Sequence, residues 1–345
     1  MTDRVERLRA ALDEPLLVSD PANLRYLTGF ESSNAALLVE PERLRLYADF
    51  RYADAARAVD GVEFEETRRA LYPDLATRLR GRIAFEPEAL TYARYRVLAE
   101  AGLELVPRSG LVERLRVVKD EAELDTIRRA AAVTNAAYAR LAEERFVGRT
   151  GRDLAWRMDV LLHELGGHGL AFETHVGAGP NAARPHAVSG DRAIGPGETV
   201  VVDAGAVVDG YCSDCTRTFA TGPLPDELAR AYAVCVAGQE AGLEAARAGA
   251  AARDVDAAAR DRIAADGFGE AFGHGLGHGV GLLEHEAPAL RPESTDTLEA
   301  GNVVTVEPGI YLPGRGGIRI EDLVVVTDDG PEVLTTFTKE LVTVG

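Results

Sequence analysis

Asp203 and Asp214 stand eleven residues apart in the stretch Val200 to Phe219, VVVDAGAVVDGYCSDCTRTF. Two carboxylates on one side of a sheet repel each other unless a cation sits between them, so the pair points to metal binding. More hard ligands follow. His274, His278 and His285 lie in GHGLGHGVGLLEHE, Glu307 in TVEPGIY and Glu321 in GGIRIEDLVVV. Two Asp, two Glu and at least one His form an oxygen-rich set with one borderline nitrogen. Such a set suits two divalent ions, Mn²⁺ first, then Co²⁺, Zn²⁺ or Fe²⁺. A single Asp in a strand-turn region is ordinarily a turn residue or a solvated charge. Five donors, each inside an apolar or Gly-rich segment, carry the metal reading.

Positioning the two aspartates requires a β-hairpin. A run of β-branched residues leads to Asp209-Gly210, and a second strand runs through Tyr211 and Thr216. Asp-Gly supplies the positive φ angles of a type I′ turn. With Val208 facing Tyr211, the register sets Asp214 opposite Gly205, and Asp203 becomes its diagonal neighbour on the same face. The missing side chain at Gly205 is expected to leave room for the cation. The segment NVVTVEPGIYLPGRGGIRIEDLVVVT reads as a pair of strands around a Gly/Pro turn, with a register that the letters leave open. The glycines at 273, 275, 277, 279 and 281 form neither GxGxxG nor a Walker loop; they allow close backbone approach and do not indicate nucleotide binding.

Other candidate motifs have plainer readings. Cys212-x-x-Cys215, with Cys235 elsewhere, lacks a second ligand pair and flanks Asp214 within a strand, so these thiols read as buried and structural. His163-Glu164 with His168 is one residue too long for HExxH, which leaves capping or surface roles. GLAFETHVGAGPNAARPHAV is a Gly- and Pro-punctuated segment carrying Phe172, His175 and His186, where a loop histidine alone is ordinarily structural.

On these residues the chain resembles the pita-bread metallopeptidases that include prolidase and aminopeptidase P, in spacing as well as letters. Asp203 and Asp214 match the DxG…SD pair, His278 the ligand of GHGxG, Glu307 that of EPGIY and Glu321 that of RIED. The resemblance implies that Asp214 and Glu321 bridge two ions, Asp203 completes one, and His278 and Glu307 complete the other. It further implies that Glu307 takes up the proton of a bridging water. His186 and His285 would steady the substrate carbonyl and oxyanion. Phe172 would line the pocket, His274 would reach the substrate or support its loop, and Arg319 would hold Glu321 or the substrate terminus.

The rest of the chain fits two domains: residues 1–118, an α/β domain resembling the creatinase and prolidase N-terminal domain, and residues 119–345, an α+β pita-bread catalytic domain. The first part alternates strands (PLLVSD, AALLVE, RLRLYAD, RIAFE, LELVP) with helical stretches, which implies a partly parallel sheet. NLRYLTGF and ADFRYADAA carry its resemblance. The boundary falls near Val118-Lys119, where Asp120 is the expected N-cap of a helix with Glu121 and Glu123 in its first turn. A second helix is expected over about Gly151 to Leu165, with Trp156, Val160 and Leu161 at helical spacing, and amphipathic helices follow Pro223 and Pro225.

At 345 residues, 46% hydrophobic and 27% charged, with a net charge of −18, the chain reads as globular. The acidic balance argues against nucleic acid and anionic membrane as partners. The N-terminus MTDRVERLRAALDEP is charged and helix-like rather than a signal peptide, which points to the cytoplasm. Lysine occurs only at 119 and 339; a halophilic host and a GC-rich genome both explain that. The resemblance implies a homodimer acting on short proline-containing peptides, as an Xaa-Pro dipeptidase (prolidase). Aminopeptidase P is the alternative, then a non-peptide C–N hydrolase such as an osmolyte hydrolase, and last a non-catalytic binding protein.

Overall fold

The computed structural model describes residues 2–186 and 188–345. It divides into two units, Met1–Arg116 and Val117–Gly345. No described helix is long and apolar enough to cross a membrane.

The first unit is built on a six-stranded sheet in the order Glu63–Thr67, Leu44–Asp49, Ala35–Val39, Leu16–Val18, Arg82–Phe85, Glu104–Pro107. Its outer pairs are parallel and the two pairs joining Leu16–Val18 through Ala35–Val39 to Leu44–Asp49 are antiparallel, so the expected partly parallel sheet forms. Leu16–Val18 is wholly buried, which explains its unbroken apolar run. Two elements escape a reading of the letters: strand Glu63–Thr67 and helix Leu71–Arg78. The strand is EFEET, at the sheet edge with only Thr67 buried, so it carries little apolar signal.

In the second unit, helix Glu121–Leu141 opens with a capping box. Asp120 Oδ1 accepts from Glu123 N at 3.0 Å, and Glu123 Oε2 accepts from Asp120 N at 2.9 Å. Helix Gly151–Glu164 buries Leu154, Ala155, Met158, Leu161 and Leu162, a stripe at helical period. Trp156 lies off that stripe and is 70% exposed, against the expectation that it joins the helix's packing face.

Two interrupted hairpins form the centre of this unit. In the first, Thr199–Ala204 pairs with Cys215–Ala220, and Ala206–Val208 with Tyr211–Cys212. Val208 faces Tyr211 as the sequence predicts, and Asp209 (φ 44°) and Gly210 (φ 78°) make the turn. The two halves join different sheets. The turn half adds Gly169–Leu170, and the other half adds His175–Ala178. The break falls at Gly205 and at Ser213-Asp214.

The C-terminal pair of strands is likewise split. Val303–Val306 pairs with Asp322–Thr327, and Gly309–Leu312 with Gly316–Arg319. Val306 faces Asp322 and Gly309 faces Arg319, so the register carried across the break sets Glu307 opposite Glu321.

Each hairpin is backed by a pair of helices. Tyr138 and Leu161, from Glu121–Leu141 and Gly151–Glu164, share a core with Val200, Val202 and Phe219 of the first hairpin. Tyr138 Oη also lies 2.9 Å from the Val202 carbonyl and 2.6 Å from that of Cys215, which ties the helix to the strands beside the break. Helices Asp226–Ala245 and Ala252–Ala265 pack Leu228, Val255 and Ile263 against Val306, Ile310 and Ile318 of the second. The amphipathic helices thus fix the two hairpins from outside, and their polar breaks are left to face a common cleft.

Candidate metal centre

Breaking a strand frees backbone and side chains from the ladder, and all four acidic ligand candidates lie at or beside the breaks. Asp203, Asp214 and Glu321 each place a carboxylate oxygen within 4.8 Å of the others. Asp214 and Glu321 are 4% and 1% exposed. Burial first, and then the neighbouring carboxylates, push both well above the usual carboxylate range.

The hydrogen bonding around this cluster is incomplete in a patterned way. Thr216 Oγ1 donates to Glu321 Oε2 at 2.7 Å, and Arg319 Nη2 donates to Asp203 Oδ2 at 2.5 Å. The second oxygen of each carboxylate, Glu321 Oε1 and Asp203 Oδ1, is buried with no hydrogen-bond partner among the described residues. Buried acceptors of this kind are costly unless something occupies them. These two orphaned oxygens, from Asp203 and Glu321 beside the buried Asp214, fit a hard divalent cation.

His278 and Glu307 form the adjoining part. His278 Nδ1 lies 3.1 Å from the Gly279 carbonyl, which can only accept, so Nδ1 carries a proton, and Nε2 is directed into the cleft. There Nε2 lies 3.2 Å from Glu307 Oε1 and 3.8 Å from Asp214 Oδ2. Thr305 Oγ1 donates to Glu307 Oε1 at 3.0 Å and accepts from His278 N, also at 3.0 Å. Burial would push Glu307 up, but its hydrogen bond from His278 and the nearby Arg319 hold it at about 2. All five ligand candidates therefore line one cleft of about 420 Å³, together with His186, His274, His285 and Arg319.

Three expectations are corrected. The space at Gly205 is not available to a cation: a Cβ there would meet the Ser213 carbonyl oxygen at 2.0 Å and Ala171 Cβ at 3.0 Å, so glycine serves the crossing of strands at the break. Arg319 does not clamp the Glu321 carboxylate. Its Nη2 binds Asp203, Nη1 the Pro185 carbonyl and Tyr311 Oη, and Nε binds Thr216 Oγ1, which alone connects it to Glu321. Phe172 is not among the residues lining the cleft; it stacks on His175 with centroids 6.5 Å apart.

His175, read as a structural loop residue, lies on strand His175–Ala178 directly beside Asp203 and lines the cleft. Tyr311, Thr216 and Glu284 are further site residues that sequence reasoning passed over. The Tyr311 hydroxyl lies 3.0 Å from His274 Nε2. Since His274 Nδ1 faces the Gly275 carbonyl at 2.7 Å, it carries the proton and Nε2 accepts from Tyr311. Tyr311 had a signal in EPGIY; Thr216 had none beyond a β-branched letter. His285 sits 3.9 Å from His278, ring centroid to centroid, and burial, then His278, lower its pKa. His186 is exposed at the cleft margin. The three cysteines are buried and free, as expected.

Comparison with known proteins follows the same lines. The pattern of Metallopeptidase family M24 matches residues 125–328, and that of the Creatinase/Prolidase N-terminal domain matches residues 4–118. An Xaa-Pro dipeptidase of Pyrococcus furiosus is 30% identical over 99% of this chain and 100% of its own length. The solved structure of an Xaa-Pro dipeptidase from Bacillus anthracis superposes with a TM-score of 0.95 at 36% identity, covering 99% of each chain. That of an X-Pro aminopeptidase from Thermotoga maritima gives 0.90 at 32% identity, covering 99% of this chain and 100% of the other. The two-domain creatinase-like and pita-bread architecture read from the motifs is the one these matches carry.

Proposed function

Because the chain belongs to metallopeptidase family M24, we propose that it is a dinuclear-metal Xaa-Pro dipeptidase, with Asp203, Asp214, His278, Glu307 and Glu321 holding two divalent ions, Mn²⁺ first. The observation that carries this reading is the pair of orphaned buried oxygens, Asp203 Oδ1 and Glu321 Oε1, within a cluster that also contains Asp214. Two divalent ions in such a site supply a strongly acidified water and polarise the scissile carbonyl.

The chain's own residues do the rest. Glu307 is held ionised, and Thr305 Oγ1 donates to its Oε1, so Oε2 is the atom that would take up the proton of the attacking water and return it to the leaving proline nitrogen. His285, whose pKa partial desolvation and His278 lower, and His186 donate to the carbonyl oxygen as it gains charge. Arg319 and Thr216 orient Asp203 and Glu321. His274, with both ring nitrogens engaged, holds its loop to Tyr311.

Dipeptides are the first-choice substrates, and the dipeptidase from B. anthracis supports that choice. The T. maritima enzyme, of similar coverage, keeps aminopeptidase P as the second reading. Metal-stripped, Mn²⁺-loaded and Co²⁺-loaded samples assayed on Xaa-Pro and Xaa-Pro-Yaa separate them. Metal-dependent release from dipeptides alone is the expected result, and release from tripeptides moves the assignment to aminopeptidase P. Absence of cleavage of either by folded, loaded protein overturns the proline-peptidase reading.

A further inference from the structure

Glu284 is a carboxylate of the cleft that the ligand set leaves over. It stands in the bend between strands Gly277–Gly279 and Glu286–Leu290, its side chain two-thirds covered at 32% exposure, and it lines the same cleft as the five ligand candidates. It does not belong to the tight cluster of Asp203, Asp214 and Glu321. Its neighbour Glu286, by contrast, is fixed: it accepts from Leu283 N at 3.0 Å and lies 3.5 Å from Lys119 Nζ. Among the described residues, the ion-pair contact of Glu284 is His285 Nδ1 at 3.4 Å, and that side chain is itself largely exposed. Arg319 is bound to Asp203, and Arg291, the other arginine of the lining, is exposed. Among the described residues no arginine or lysine pairs with Glu284, and a partly desolvated carboxylate so placed, with only the imidazoles of His175, His278 and His285 nearby, favours positive charge in the cleft and repels negative charge.

In an Xaa-Pro dipeptide, every positive charge belongs to the first residue: the ammonium that all such substrates share, and a side chain that only some have. We propose that Glu284 makes this cleft selective for peptides whose first residue is basic and against those whose first residue is acidic. The inference rests on the Xaa-Pro peptidase reading above.

The test compares kcat/KM of the Mn²⁺-loaded full-length protein on Lys-Pro, Leu-Pro and Glu-Pro, for wild type, Glu284→Gln and Glu284→Lys, at low and high KCl. Wild type is expected to favour Lys-Pro over Glu-Pro by about tenfold at low salt, with the ratio shrinking as KCl screens the charge. Glu284→Gln is expected to bring the ratio near one, and Glu284→Lys to reverse it. An equal fall on all three peptides overturns the proposal in favour of a role in orienting His285. A ratio that Glu284→Gln leaves unchanged also overturns it, with the peptidase reading intact. Failure of wild type to cleave any of the three overturns both.

Discussion

Thr216 Oγ1 donates to Glu321 Oε2 across 2.7 Å and accepts from Arg319 Nε at 3.0 Å. One hydroxyl thus links the first hairpin to the second at the point where their acidic residues meet. Because Arg319 also binds Asp203, a single chain of hydrogen bonds runs from Asp203 through Arg319 and Thr216 to Glu321.

Replacing Thr216 with Val keeps the shape and removes the link. Affinity for Mn²⁺ is expected to fall about tenfold, the usual effect of losing an outer partner of a ligand, read by titration against a competing chelator. The variant should stay folded, since Val suits a buried strand position. Unchanged affinity would mean that Glu321 is oriented by its backbone alone.

Gly205→Ala separates two explanations of that glycine. If its role is strand crossing, the added Cβ meets the Ser213 carbonyl and destabilises even the metal-free protein, by about 3 kcal/mol. Denaturant unfolding of stripped samples measures this. If the metal-free variant is as stable as wild type and only metal binding is lost, the space belongs to the ion after all.

Arg217 is 2% exposed and binds the carboxylate of Asp322 at 2.8 Å and the carbonyls of Glu321, Thr335 and Phe337. Arg217→Met is expected to cost about 3–5 kcal/mol, because it strips a buried acid of one counter-ion and leaves carbonyls unpaired. Lys339, 2.9 Å from Asp322, remains and keeps the loss from being larger. Urea denaturation provides the measurement.

Glu86 gives the N-terminal unit a pH dependence. Burial pushes it up to about 7 despite hydrogen bonds from the Ser19 and Asp20 backbone and from Asn23. Its folded pKa lies above its unfolded value, so the folded state holds the proton more tightly. The stabilisation is complete below about 4.5 and is lost as pH rises through about 7, by roughly 3 kcal/mol in all. In Glu86→Gln, the fall in unfolding free energy over that interval should flatten. A slope equal to wild type would place the titration elsewhere.

The sequence by itself determined the parts that local chemistry controls. Asp209-Gly210 fixed the turn and with it the register that sets Thr216 against Asp203. Asp120 and Glu123 fixed the start of a helix, and the identity of five hard donors fixed the class of ligand. These depend on neighbours in the chain, or on side-chain types that have few other uses inside a protein.

Tertiary structure decided what depends on separate segments meeting. Glu307 faces Glu321 because two breaks fall at matching points of one hairpin, and a break leaves no periodic mark in the letters. Arg319 reaches Asp203 rather than Glu321, 116 residues away against two. His175, on a short strand inside a Gly- and Pro-marked segment, enters the cleft only because that strand pairs with the one carrying Asp203. Gly205 is glycine because another backbone passes through the place of its side chain. A side chain's type limits what it can bind, but its partner is set by through-space packing, which alternation and spacing along one strand do not encode.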